Sequence, residues 1–261
     1  MKPLKLYWSS SLKQGRKNFG DWLSPCLVRE LSGREVVHTP PNGCDLVAIG
    51  SLLQRVKHHW WNRRLHIWGT GFIAAGPQVT AYHEYHALRG QSSAAMIRGL
   101  PRPVLGDPGL LAACLLPDHA SLPKRHALGL VPHYKDQRHP AVQRLQELIP
   151  QARLIDVLAE PLEVLRAIAG CEFILSSSLH GLIVADAFGL PNAWFEFSSA
   201  VRGARFKFRD YYSAFGIMEP QPLTLENFDP ADIEWLAASY RREALAELQR
   251  GLLSSFPFPA S

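Results

Sequence analysis

The stretch from Ile174 to Pro191 (Ile-Leu-Ser-Ser-Ser-Leu-His-Gly-Leu-Ile-Val-Ala-Asp-Ala-Phe-Gly-Leu-Pro) constrains the fold more than any other segment. Its apolar run Phe173–Leu175 reads as a buried strand, and an apolar helical pattern resumes directly after three serines. Strand, polar junction and helix in that order define an α/β unit whose junction lies at the carboxyl edge of a parallel sheet, where open α/β sheets gather ligands. A helix beginning there directs unpaired N–H groups and a positive dipole end at the crevice. Ser176, Ser177, Ser178 and His180 are therefore expected to receive a phosphate or carboxylate. A structural reading also fits, with Ser177 capping the helix and His180 on its flank.

The rest of the chain repeats this grammar. Strands are expected at Lys5–Trp8, Glu35–His38, Asp45–Gly50, His66–Gly69, Tyr85–Leu88 and Pro103–Gly106. A second series follows at Ala127–Pro132, Arg153–Val157, Glu172–Ser176 and Asn192–Phe197. Helical patterns separate them at Trp22–Leu31, Ser92–Ile97, Pro140–Leu148 and Leu162–Ala169, with Gly33 and Gly170 as stops. Pro117–Arg125 reads as a linker. The expected architecture is α/β: two halves, residues 1–122 and 123–261, facing each other across a cleft. An amphipathic helical segment, Ala231–Phe256, packs back on the first half.

Composition narrows the function. The 261 residues carry a net charge of +5, which favours an acidic partner, yet no nucleic-acid-binding motif accompanies it. Four scattered cysteines and eleven histidines show no metal-ligand spacing, so no metal is expected. No apolar run approaches the ~20 residues that span a bilayer, and no signal-peptide pattern opens the chain, which predicts a cytoplasmic protein. Trp60, Trp61, Arg63 and Arg64, with Arg55 and Lys57 nearby, form a basic aromatic loop. It reads as a solvated loop or as a peripheral contact with an anionic membrane surface.

Other expected strand ends carry polar residues. Asp21 is placed to cap the first helix and to serve as a catalytic or sugar-binding group. Gly50-Ser51 and Gly69-Thr70-Gly71 end two strands, so Gly50, Ser51, Gly69 and Gly71 are candidates for close backbone approach to a ligand. Arg89 follows a third strand and is a candidate bidentate clamp for phosphate or carboxylate. His133 shares the expected sheet edge with His180, and Arg202, Arg205, Lys207 and Arg209 follow the last strand. Neither a phosphate-binding loop with Lys, a G-x-G-x-x-G turn nor a G-x-S-x-G elbow is present.

These blocks resemble the polysaccharide pyruvyl transferases, particularly the short ketal pyruvate transferases of xanthan-type exopolysaccharide synthesis. The resemblance runs through Asn18-Phe19-Gly20-Asp21, Ala48-Ile49-Gly50-Ser51, Ile67-Trp68-Gly69-Thr70-Gly71, Leu88-Arg89-Gly90 and Gly106-Asp107-Pro108-Gly109-Leu110-Leu111. It continues through Val131-Pro132-His133-Tyr134, Ser176–Ile183 and Arg205-Phe206-Lys207-Phe208-Arg209-Asp210-Tyr211-Tyr212, and so covers most of the chain. It implies two Rossmann-like halves similar to B-type glycosyltransferases, with phosphoenolpyruvate as donor substrate and no other cofactor. The implied acceptor is a sugar with two free hydroxyls on a lipid-linked oligosaccharide at the inner face of the cytoplasmic membrane. Many relatives carry Arg where this chain has Ser178, and Arg205 or Lys207 is the expected replacement cation. Donor protonation, hydroxyl attack and phosphate loss need an acid/base pair and cations. His180 leads for the acid/base role. His133 and Asp21 assist or hold acceptor, and Arg89, Ser177 and Ser178 hold the donor. The alternatives are a nucleotide-sugar glycosyltransferase of the same fold and a non-catalytic polysaccharide-binding module.

Overall fold

The computed structural model describes residues 2–10, 17–201 and 203–260; Arg202 lies outside them. Its elements, in chain order, are β1 (Leu4–Tyr7), α1 (Phe19–Ser32), β2 (Val36–His38), β3 (Leu46–Val47), β4 (His66–Trp68), β5 (Val79–Thr80), β6 (Glu84–Leu88), α2 (Gln91–Ala95), β7 (Ile97–Arg98) and β8 (Val104–Leu105). They continue as β9 (His126–Val131), α3 (Pro140–Leu148), β10 (Arg153–Leu154), α4 (Pro161–Ala169), β11 (Cys171–Ser176), α5 (Leu179–Ala187), β12 (Asn192–Trp194), α6 (Ala204–Ser213), α7 (Ile233–Ser239) and α8 (Leu245–Ser254).

Two parallel sheets result. The first has the order β2-β1-β3-β4-β6-β8 and the second β10-β9-β11-β12, while β5 and β7 pair separately. In both sheets the strand order reverses beside the first strand, between β1 and β3 and between β9 and β11. Chain connections leave the sheet in opposite directions at such a switch point and open a crevice beyond the strands' carboxyl ends. The fold is thus Rossmann-like α/β, with one crevice-forming position per sheet.

Every strand expected from the sequence is present, most of them shorter. The run 45–50 pairs only at Leu46–Val47, because Gly50 (φ +113°) turns the chain out toward the sheet's edge. The segment 231–256 forms two helices and not one. Between them Tyr240 and Arg242 turn inward to the buried Asp186: the Tyr240 hydroxyl donates to its Oδ1 at 2.8 Å and the Arg242 Nε lies 3.1 Å away. Serving that carboxylate breaks the helix. β5 and β7, two residues each, carry no pattern that a sequence reading could find.

A single apolar cluster runs through both sheets' helices, joining Leu23 and Leu27 of α1 to Leu165 of α4 and to Leu182 and Ile183 of α5. α5 is almost wholly buried and mostly apolar, as a helix surrounded by protein tends to be, and its one carboxylate, Asp186, is met by Tyr211, Tyr240 and Arg242. α8 returns to the first sheet, where the Leu252 carbonyl accepts from the Trp68 indole at 3.0 Å and Phe256 packs on the same ring. α6 is tied to that sheet by a pair with no solvent exposure: Arg89 Nε donates to Asp210 Oδ2 at 2.9 Å. Asp210 also accepts from the Ser93 amide and hydroxyl, at 2.7 and 2.6 Å.

Removing one member of a buried ion pair leaves the other charge uncompensated, at a cost of about 3–5 kcal/mol. Asp210→Ala is expected to destabilise the protein by that amount in urea denaturation, and Arg205→Ala, at an exposed position, by far less.

Candidate functional site

One cleft, of about 170 Å³, collects residues from the switch points of both sheets. Ser9 follows β1, Gly50 and Ser51 follow β3, His133 and Tyr134 follow β9, and Ser178 and His180 follow β11. Asn18 and Asp21 at the start of α1, Arg55, and Lys207 on α6 complete its polar lining.

Two helices begin at the cleft. α1 starts at Phe19, and its cap is Asn18, whose Oδ1 accepts from the Gly20 amide at 3.0 Å. The cap expected at Asp21 is thus one turn too late, and the Asp21 carboxyl, released from capping, faces the cleft. α5 begins after Ser178, whose hydroxyl makes no capping bond, so the first amides of α5 keep their dipole for another acceptor. The two helix starts touch: a Cβ at Gly20 would lie 2.2 Å from His180 Nδ1, so only glycine admits the imidazole here. The His180 Nε2 is shielded from solvent and has no hydrogen-bond partner among the described residues.

Burial and clustered charge shift the titrations in opposite directions. Burial raises the Asp21 carboxyl to about 7, against the opposing pull of Arg55 and Lys207. Burial lowers the Lys207 ammonium to about 8, assisted by the Arg89 charge. His180 and His133 are both lowered to about 3, first by burial and then by Lys207. Near neutral pH the cleft therefore holds neutral imidazoles, a carboxyl close to its midpoint and a largely charged lysine. Groups pushed apart in this way are suited to divide acid and base duties.

Several expected site residues lie behind the cleft wall. Arg89 is fully buried; besides Asp210, its guanidinium donates to Ser51 Oγ at 2.6 Å and the Phe72 carbonyl at 2.5 Å. It meets the cleft only through Ser51 and is no free clamp. Gly71 makes room for that guanidinium, since a Cβ there would lie 2.6 Å from Arg89 Cζ. Gly69 packs against Pro108, 2.2 Å from where its Cβ would be, and faces no ligand space. Ser177 is buried and neither caps α5 nor lines the cleft: its hydroxyl donates to Asp136 Oδ2 at 2.6 Å and accepts from the His133 amide at 2.9 Å. Arg205 points to solvent and pairs with Glu196, leaving Lys207 as the cation of that segment within the cleft among the described residues.

Three contributors escaped the sequence reading. Arg55 lines the cleft, donating to the Tyr7 hydroxyl at 3.0 Å, although its neighbours suggested a surface loop. Asp136 is fully buried and joins Ser177 to Ser198, fixing the turn that presents His133. Asp210 orients Arg89 and hence Ser51. A Pro132-His-Tyr-Lys-Asp run after a strand was the available signal for Asp136, and an acid within the Arg/Lys run of α6 the one for Asp210.

The loop Trp60–Arg64 lies elsewhere. Trp60 and Trp61 are 79% and 65% exposed. Arg63 pairs with Asp45, just before β3, and Tyr82, just before β6, donates to the Trp60 carbonyl at 2.8 Å. These anchors put the loop at the amino edge of the first sheet, opposite the cleft.

Sulfate keeps its charge between pH 6 and 9 and so reads the protein's titrations alone. Its affinity is expected to fall as Asp21 loses its proton near pH 7 and again as Lys207 loses its own near pH 8. Calorimetry should show Asp21→Asn abolishing the lower step and Lys207→Gln the upper. Gly20→Ala is expected to stay folded by circular dichroism while displacing His180 and altering its NMR imidazole signals.

Comparison with known proteins identifies the family. The family model for polysaccharide pyruvyl transferase matches residues 2–199. The chain is 31% identical over 227 residues to the succinoglycan biosynthesis protein ExoV of Rhizobium meliloti (strain 1021), covering 83% of this chain and 66% of that protein. It is 30% identical over 166 residues to the uncharacterized protein L143 of Acanthamoeba polyphaga mimivirus, covering 61% of this chain and 58% of the other. The chain thus spans about three fifths to two thirds of the length of these curated relatives. With the family model extending from β1 past β12, this chain belongs to the polysaccharide pyruvyl transferase family.

Proposed function

We propose that the protein transfers pyruvate from phosphoenolpyruvate to two hydroxyls of one sugar in an exopolysaccharide repeat unit, forming a cyclic ketal and releasing phosphate. The observation that carries this reading is the cleft itself: two helix starts, Arg55 and Lys207 surround a space with Asp21, His133 and His180 at its wall. At about 170 Å³ the space is smaller than the ~300–1,000 Å³ usual for larger ligands, which favours a small polyanion over a nucleotide-sugar. A second cavity of about 570 Å³ adjoins it at Tyr134, with Lys135, Gln137, Arg138 and Asp156 in its walls, and would receive the saccharide.

In this mechanism Arg55, Lys207 and the first amides of α5 hold the donor's phosphate and carboxylate, taking the place of a cation at Ser178. The Asp21 carboxyl gives its proton to the donor's methylene carbon, leaving an electrophilic centre. A sugar hydroxyl attacks that centre as His180 takes its proton, and that proton leaves with the departing phosphate. The second hydroxyl closes the ring and returns its proton to Asp21. His133, fixed by Ser177 and Asp136, orients the acceptor. Atoms and protons balance with no additional cofactor.

The larger setting belongs to the same proposal. Residues 1–122 and 123–261 act as two halves across the cleft, as in B-type glycosyltransferases, with the donor held between Arg55 of the first and Lys207 of the second and the saccharide extending along the second. No helix among the described residues is long and apolar enough to cross a membrane. A cytoplasmic protein meeting its lipid-linked acceptor at the membrane would use the exposed Trp60 and Trp61 with Arg63 and Arg64 as its contact.

The test is purified protein with phosphoenolpyruvate and a panel of lipid-linked and synthetic oligosaccharides. Equimolar phosphate release and a pyruvate ketal on the acceptor are expected; release of a nucleoside diphosphate from nucleotide-sugars in their place would refute the reading. His180→Ala and Asp21→Asn should each lower turnover by ~10²–10⁴ while leaving the protein folded. Replacing Trp60 and Trp61 with Ser should weaken co-sedimentation with phosphatidylglycerol vesicles and leave turnover on a soluble acceptor unchanged.

A further inference from the structure

At the amino edge of the first sheet, β4 and β6 run side by side with His66 opposite Glu84. The register then slips: Ile67 pairs with Tyr85 but Trp68 pairs with Ala87, so His86 is the extra residue of a bulge. Bulges re-aim side chains, and this one turns His86 onto His66. The His66 Nδ1 lies 2.9 Å from His86 Nε2 and 3.2 Å from Glu84 Oε2. One donor atom from each of the three residues falls within 4.8 Å of the others. The imidazoles stack at 5.1 Å with a 22° tilt, and Phe258 closes one side with its ring 4.8 Å from that of His66. The other side is open, with 29% of the His66 side chain and 50% of Glu84 exposed.

A single proton on His66 Nδ1 serves only one of its two close neighbours well. A cation would satisfy all three. Bonds of ~2.0–2.1 Å in tetrahedral array place donor atoms ~3.3 Å apart, within a few tenths of an ångström of the two separations found here. We infer that His66, Glu84 and His86 form a binding site for one divalent transition-metal ion, Zn²⁺ by preference, with a fourth position open to water. Two imidazoles and one carboxylate favour such an ion over Mg²⁺ or Ca²⁺, which take oxygen ligands. The site clamps β4 to β6 beside the C-terminal residues, whose Ala260 amide donates to the Leu31 carbonyl at 3.0 Å. It lies at the sheet edge opposite the cleft, so its role is structural.

Calorimetric titration with Zn²⁺ is expected to give one equivalent bound per chain and a higher melting temperature. Titration with Co²⁺ should develop the visible bands of a four-coordinate site. His66→Ala and His86→Ala should abolish both signals. Glu84→Gln, a surface change that threatens no packing, should weaken binding at least about tenfold. His59→Ala, at an exposed imidazole elsewhere, should leave binding intact. Absence of saturable one-to-one binding, or binding undiminished in Glu84→Gln and His86→Ala, would overturn the inference.

Discussion

The buried Arg89–Asp210 pair is the constraint on which the site's geometry rests. α6 follows the last strand of the second sheet, yet its Asp210 is locked to an arginine that ends a strand of the first. That lock delivers Lys207, three residues earlier on the same helix, into the cleft. The same guanidinium reaches Ser51 from behind and holds it at the opposite rim. A full positive charge is thereby present close behind the cleft without touching its contents. It depresses the basicity of both Lys207 and His180. Arg89 thus shapes the site electrically and mechanically while remaining outside it.

Much of this was legible in the chain, for identifiable reasons. The α5 block combined three independent signals, a buried strand, a polar junction and an apolar helical pattern, and each survives in the structure. The alternation of strands and helices gave the parallel sheets because period and turn chemistry agreed almost everywhere. Sequence pattern does not say which way a strand-end side chain points. Arg89 and Ser177 both follow strands at the correct edge, but each turns toward a buried carboxylate, Asp210 or Asp136, contributed from 121 and 41 positions away. A glycine after a strand is equally ambiguous: Gly50 borders the cleft, whereas Gly71 gives its space to a guanidinium.

Long-range partners explain the remaining misses. Arg55 sat beside two tryptophans and further basic residues and so read as surface, but the tyrosine that orients it lies 48 positions away. The group formed by His66, Glu84 and His86 has no recognisable spacing, since it exists only through strand pairing and one slipped register. The split between α7 and α8 likewise answers to Asp186, a carboxylate in the core that draws in Tyr211, Tyr240 and Arg242.

The burial of α5 everywhere but at His180 has a consequence for how a cleft of this type can vary. His180 is the one partly exposed residue of that helix, and its ring rests against Gly20, where an added Cβ would lie 2.2 Å from Nδ1. Leu179, Leu182 and Ile183 of the same helix belong to the apolar cluster common to both sheets, so the backbone that carries His180 cannot shift alone. Lys135 and Arg138, by contrast, are exposed on the connection that follows β9, at the walls of the second cavity, where an exchanged side chain displaces little packed volume. On the reading proposed above, a change of acceptor would arise on that connection, around a His180-bearing wall that stays fixed.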